Sequence, residues 1–194
     1  MAERSGNGVN PVISILGAIL LVIVCVGGYI WATWMGPVHA GKVVSMAVYP
    51  IHRELSTGSA LGGVDGGKNV YDELIVVANV HIQSTTKKLP LFLHDMSATV
   101  TLPDGSTQQD LAASRDDFQK VFVAYPALAP QQKAPLQRDI TMTPGQTVDG
   151  QMIFHFPITK QQWDQRKSFT VTVEFLHQDP LVMKTAGVPT VTVQ

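Results

Sequence analysis

Cysteine is nearly absent. Of 194 residues only Cys25 carries a thiol, and it falls inside an apolar run, so the rest of the chain has none for a disulfide, a thiolate metal site or a nucleophile. A core built from that remainder must hold without covalent staples. Charge is scarce and balanced: 14 Lys and Arg face 15 Asp and Glu in a chain that is 15% charged. No broad field of one sign exists to hold a polyanion, so nucleic acid is not an expected partner. Several chemical signatures are missing as well. There is no Gly-x-Ser-x-Gly elbow. The glycine-rich stretch Gly58 to Gly67 lacks the Lys-Ser/Thr of a phosphate loop and reads as a flexible loop.

What is present begins with the run from Val12 to Trp34, which contains no charged residue. A helix needs about 20 residues to cross the hydrocarbon layer, and this run is longer. Tyr29, Trp31 and Trp34 gather at its end, where amphipathic rings favour the headgroup level, and Gly36-Pro37 then stops the helix. Val38 and Ala40 stand at the −3 and −1 positions of a signal-peptidase site before Gly41, but secretory apolar cores are shorter, about 7 to 15 residues, which favours a retained anchor. Arg4 precedes the run while Lys42 and Arg53 follow it, so the positive-inside rule does not by itself set orientation. The external character of the following domain favours the N-terminus inside. The small residues Ser14, Gly17 and Ala18 mark a candidate helix-packing face.

Beyond the run, apolar and polar residues alternate. Val43 to Tyr49 reads as a strand ended by Pro50. Leu74, Val76, Ala78, Val80 and Ile82 form the inward face of a second strand, with Asn79, His81 and Gln83 outward. In Leu91 to Leu102 the inward set Met96, Ala98, Val100 and Leu102 is out of phase with Leu91 and Leu93, which predicts a bulge near His94-Asp95. Pro103-Asp104-Gly105 supplies a turn. Ser114, followed by Asp116 and Asp117, predicts an N-cap before a short helix carrying Phe118, Val121 and Phe122. Pro126 to Pro135 has too many prolines for regular structure and is expected to run extended over the surface. Strands resume at Asp139 to Met142. Pro144-Gly145-Gln146-Thr147 turns into a strand with Met152, Phe154 and Phe156 inward. Thr159 caps one helical turn around Trp163. Phe169, Val171, Val173 and Phe175 mark the clearest strand, and Val188 to Val193 closes the sheet.

Three segments carry a resemblance: Tyr71 to Leu102, Pro144 to Phe156, and the strand Phe169 to Leu176. They combine an alternating strand, a polar turn with a following Pro-Leu, a Pro-Gly-Gln-Thr turn and an aromatic strand ending near a proline. In these features the chain, over most of residues 42 to 184, resembles the immunoglobulin-like domains of bacterial membrane-anchored proteins. The resemblance implies a fold and an extracytoplasmic setting, and assigns no catalytic residue. The expected fold is mainly β: an immunoglobulin-like antiparallel β-sandwich preceded by one N-terminal transmembrane α-helix. The expected organisation is a short cytoplasmic tail at 1–10, the transmembrane helix at 11–35, a linker at 36–41 and the extracytoplasmic domain at 42–194. The bacterial inner membrane is the expected location, with the C-terminal domain in the periplasm or otherwise outside the cytoplasm.

The polar residues point to no chemistry of their own. His39, His52, His81, His94, His155 and His177 are scattered. His81 and His155 would be neighbours if their strands paired, yet zinc would need further ligands. Asp65, Asn69, Asp72 and Glu73 lack calcium-loop spacing. Asp116, Asp117 and Asp164 read as helix caps meeting the N-terminal dipole. No catalytic, cofactor or metal residues are assigned, and an enzyme is not expected. Trp163, Phe122 and Tyr125 read as core before interface. Should the domain contact a partner, Phe122, Tyr125, Pro126, Pro130 and Pro135 are the first candidates, because an aromatic end meets a proline-rich run there. The expected function is a non-enzymatic structural or accessory subunit held by the lipid bilayer beside a membrane-protein partner. The alternative is a free-standing binding module for a peptide, glycan or envelope component.

Overall fold

The structure, a computed structural model, describes residues 11–33, 36–56 and 68–193, with side chains described for 15–29, 36–54 and 70–193. The chain divides into two compact units, Met1–Pro37 and Val38–Gln194.

The first unit contains α1 (Pro11–Thr33), a helix of 23 residues. The described side chains, 15–29, are all exposed. Among the described residues no helix is long and apolar enough to cross a membrane.

The second unit is mainly β. Its strands are β1 (His39–Ser56), β2 (Lys68–Ser84), β3 (Leu91–Thr101), β4 (Thr107–Leu111), β5 (Ile140–Met142), β6 (Thr147–Phe156), β7 (Ser168–Phe175), β8 (Leu181–Lys184) and β9 (Thr190–Thr192). The helices are α2 (Arg115–Ala124) and α3 (Lys160–Asp164), with a 3-10 helix at Pro126–Gln131. Four strands form one sheet in the order β6-β2-β1-β9; the other runs β4-β3-β7-β8, with β5 also paired to β3. One hydrophobic cluster draws on both sheets, with Val48, Leu74, Val76 and Phe154 from the first meeting Leu93, Met96, Phe169 and Val173 from the second. Two sheets sharing one core make this a two-layer β-architecture.

Several local expectations hold for local reasons. The register of β3 on β7 shifts between Leu93 and Asp95, and Leu91 and Leu93 are buried with Met96, Ala98 and Val100. The bulge is what lets both phases of the strand face one core. Ser114 accepts a hydrogen bond from the Asp117 amide at the start of α2, and Thr159 with Gln162 completes a capping box on α3. Gly105 and Gly145 adopt φ of 93° and 75° in their turns, which a side chain would resist. Trp163 is 1% exposed and sits edge-on to Phe169, with ring centroids 5.0 Å apart. It belongs to the core.

Other expectations are corrected. Pro50 does not end β1, which pairs with β2 without interruption from Ser45 to Ser56. The outer edge of β1 carries β9 only at Met46–Val48, and edge stretches tolerate a missing N–H. β1 also begins at His39, inside the stretch expected as linker. Pro126–Gln131 forms a 3-10 helix rather than an extended run; Pro126 opens it and Leu128 within it is fully buried. β4 and β8 lie where no strand was expected. Asp164 is the last residue of α3, not its cap, and its carboxylate lies 2.6 Å from Lys160 Nζ one turn earlier.

The strand β2 is buried on both faces. Ile75 and Val77, outward by alternation, join Ala47, Ile51 and Ile153 in a second cluster with Phe118, Phe122 and Leu128. The helix α2 and the 3-10 helix therefore cover part of the outer face of the four-stranded sheet.

Candidate functional site

Beside that cover, β1 and β2 run on past the rest of their sheet. Pairing of β2 with β6 stops at Leu74↔Phe156, and β9 leaves β1 after Val48↔Thr192. From Ile51↔Glu73 to Ser56↔Lys68 the two strands continue as a ribbon paired only to each other. At roughly 3.4 Å per residue this arm is about 20 Å long. Its tip, the Gly58 to Gly67 segment, lies outside the described residues.

Register decides which side chains share a face. Arg53 stands opposite Tyr71, and Tyr49 stands opposite Ile75. All four point to the side on which α2 and the 3-10 helix lie. Tyr125, at the junction of those two helices, brings its ring to 5.5 Å from that of Tyr49, and its hydroxyl accepts a hydrogen bond from Arg53 at 2.7 Å. Tyr71 and Val70 remain 48% and 51% exposed. An outer surface thus unites Tyr49, Arg53, Tyr71 and Tyr125. Tyrosine and arginine are enriched at protein interfaces because each offers broad contact area and a directed polar group.

Ion pairs brace the arm. His52 Nδ1 lies 2.7 Å from Asp72 Oδ1, and its Nε2 lies 3.7 Å from Glu54. The hydrogen bond to Asp72 and that carboxylate's charge raise the His52 pKa above its ordinary value. Glu73 meets His155 at 3.2 Å. A two-stranded ribbon is marginal in water by itself, so these contacts and the Arg53–Tyr125 bond fix its base.

A polar row anchors the segment leaving the 3-10 helix. Gln151 is 1% exposed on β6. Its Nε2 donates to Asn79 Oδ1 at 3.0 Å and to the Gln131 carbonyl at 2.7 Å, while its Oε1 accepts from the Lys133 amide at 3.0 Å. Asn79 in turn donates to Ser45. Further along, the Leu136 amide donates to the Gln151 carbonyl at 2.9 Å, and its backbone passes directly over Gly150. A Cβ built on Gly150 would lie 2.5 Å from Leu136 Cβ and 2.7 Å from its Cα.

A cleft of about 280 Å³ opens between this segment and α2, lined by Met96, Phe118, Leu136, Arg138 and Met152 among others. Arg138 is already engaged. Its Nε donates to Asp95 at 2.8 Å and its guanidinium also donates to the Ala112 carbonyl. Burial pushes the Asp95 carboxyl up, but the Arg138 and Met96 hydrogen bonds outweigh this and hold it below its ordinary pKa. The arginine acts as a strap across the cleft wall.

The sequence candidates divide. Ser14 lies outside the residues with described side chains. Gly17 is open, with nothing within 4 Å of an added Cβ, and Ala18 is exposed. Phe122 is 6% exposed and packs on Phe118, so it is core and not contact surface. Tyr125 is half-buried within the tyrosine surface, Pro126 and Pro130 are exposed on the 3-10 helix, and Pro135 is half-buried and bridged to Gln151. His81 and His155 are not brought together: on paired β2 and β6 they face Asp149 and Ile75 instead. Among the described residues no group of three or more His, Cys, Asp or Glu is placed to hold a metal. Arg53, Tyr49, Tyr71 and Gln151 were missed. For the first three, the Tyr-Pro and Tyr-Asp flanks of an otherwise polar stretch were the available signal. The chain matches no protein-family model and no curated protein.

Proposed function

We propose that the protein is a non-enzymatic, membrane-anchored structural or accessory subunit of a larger membrane complex, and that its β-arm and tyrosine surface receive the protein partner. The observation that carries this reading is the arm. A ribbon extended past its own sheets, with Arg53, Tyr71 and Tyr125 on one side, suits engagement of a second surface. The anchor is α1. The uncharged run from Val12 to Trp34 supports this, since a spanning helix needs about 20 apolar residues. A bacterial inner-membrane location with the β-domain outside the cytoplasm follows from the resemblance noted in the sequence.

The immunoglobulin-like reading of the sandwich is supported by strand order. With the strands lettered as in that fold, β1, β2 and β6 take the neighbour order A-B-E, while β4, β3, β7 and β8 take C′-C-F-G. The inter-sheet disulfide of antibody domains has no counterpart, because Cys25 is the only cysteine.

A second reading, a free-standing binding module, rests on the same arm. Among the described residues its two outer edges pair with no other strand, so an extended peptide could add there. Native mass spectrometry of the intact protein, extracted from its own membrane in mild detergent, separates the two. A defined complex of fixed stoichiometry, lost in Tyr71→Ala with Arg53→Ala or on replacing Gly17 and Ala18 by leucine, supports the subunit reading. A lone intact chain refutes it, and a mass beginning at Gly41 refutes the anchor.

A further inference from the structure

We propose that the end of the β-domain at which the chain enters rests on an anionic phospholipid surface, with Leu89 among the headgroups and Lys87 and Lys88 at their level. The proposal rests on the reading of the Val12 to Trp34 run as an anchor. His39, the first residue of β1, follows Trp34 by five residues, and five residues of extended chain span at most about 18 Å. An anchor so placed keeps the surroundings of His39 close to the headgroups. Three hydrogen bonds fix what those surroundings are. The Thr85 amide donates to the Val38 carbonyl at 3.0 Å, and the Ser84 amide donates to the Gln146 carbonyl at 2.8 Å. His39 Nε2 donates to the Asp179 carbonyl at 2.7 Å. The connections 85–90, 143–146 and 176–180 therefore share the entry end.

The first of these connections presents the contact. Thr86 Oγ1 donates to the Leu89 carbonyl at 2.6 Å and lies 3.0 Å from Ser84 Oγ, which closes the turn, while Pro90 confines Leu89 to extended backbone. Leu89 is nonetheless 64% exposed. Lys87 and Lys88 precede it, both exposed, and among the described residues neither forms an ion pair. Behind them, Phe92 and Leu176 are each 44% exposed, and the Leu176 amide donates to the Phe92 carbonyl at 2.9 Å. Because the paired Leu93 and Phe175 are buried, alternation turns Phe92 and Leu176 to the outer side. A leucine held out of the core beside two ammonium groups suits a surface that is anionic at the headgroups and apolar just beneath them. Charge agrees in sign, since the three connections carry two lysines and one acid, Asp179. The charge of a lipid surface is spread over many headgroups, so the two ammonium groups need not converge on one ligand.

The test places the full chain in phosphatidylcholine vesicles with or without phosphatidylglycerol, and reads a fluorophore on a single cysteine by its quenching with nitroxide-labelled lipids. A label on the native Cys25, exposed on α1, reports the anchor through mid-chain nitroxides. In a Cys25→Ser background, a label at Gln178→Cys reports the entry end, and one at Thr107→Cys, which pairs with the last residue of β3, is the control at the other end of that strand. Headgroup nitroxides are expected to quench at 178 and not at 107, and more strongly with phosphatidylglycerol present. Lys87→Gln and Lys88→Gln should each lower the docked-to-free ratio about fivefold, and added salt should lower it as well. Leu89→Ser should lower it in both lipid mixtures. All three side chains are exposed, so the fold is kept. Quenched Cys25 with equally weak quenching at 178 and 107 overturns the proposal and leaves the anchor standing. Quenching at 178 that ignores both lysine variants and Leu89→Ser overturns it too, as does shielding of 178 in native membranes but not in lipid alone, which gives this end to a protein partner. A Cys25 label beyond reach of every nitroxide removes the anchor and this proposal with it.

Discussion

Replacing Gln151 by leucine keeps the approximate bulk of the side chain and deletes its polar end. Three hydrogen bonds disappear, to Asn79, to the Gln131 carbonyl and from the Lys133 amide. Each is worth about 0.5–1.5 kcal/mol net, and a donor or acceptor left buried without a partner costs about 1–3 kcal/mol. Asn79 is only half-buried and regains part of this from solvent. The backbone bonds between Gln151 and the Ala134 and Leu136 backbone remain in the variant, so the segment stays docked but loses its side-chain tether. The expected loss is about 2–4 kcal/mol, or a fall in Tm of about 5–15 °C for a chain of this size. Near-UV circular dichroism of the full chain in nonionic detergent measures it. Hydrogen exchange at the Lys133 amide supplies the local readout and should accelerate. If Tm stays within about 1 °C of wild type and the Lys133 amide keeps its protection, the side chain of Gln151 does not hold this segment and the reasoning fails.

Gly150→Ala should destabilise by about 1–3 kcal/mol, because the added methyl meets the Leu136 backbone, which cannot rotate aside; a denaturant midpoint equal to wild type would contradict the close approach. Trp163→Ala empties a fully buried site against Phe169 and should lose about 3–5 kcal/mol in equilibrium unfolding. The arm has its own pH dependence. Because the folded pKa of His52 lies above 6.5, its contribution to stability is complete below that value and is lost as pH rises through the folded pKa. NMR titration should show a raised His52 pKa that falls back toward its ordinary value in Asp72→Asn, and an unchanged titration in that variant would remove Asp72 as the cause.

The local features were legible because their information is local. Alternation over Phe169 to Phe175 and the phase slip at His94-Asp95 each require a few neighbouring residues to face one way, and a Ser or Thr before a helical turn satisfies amides two or three positions ahead. Much of what defines the candidate surfaces was not legible, because it depends on residues far apart in sequence. Pro50 breaks a strand unless its outer edge lacks a neighbour, and only the position of β9 settles that. The proline-rich run curls into a 3-10 helix because Leu128 finds a pocket among Ile75, Val77 and Phe122, a burial that outweighs the extended preference of its prolines. Arg53 meets Tyr125 across 72 residues and Gln151 meets Asn79 across the same separation. By itself the sequence determined an apolar N-terminal run, a mainly β domain and most of its inward-facing residues, since periodicity and capping act along the chain. Only the tertiary structure decided that β1 and β2 outrun their sheet and that tyrosines and arginine share its outer side, since register and packing act across it.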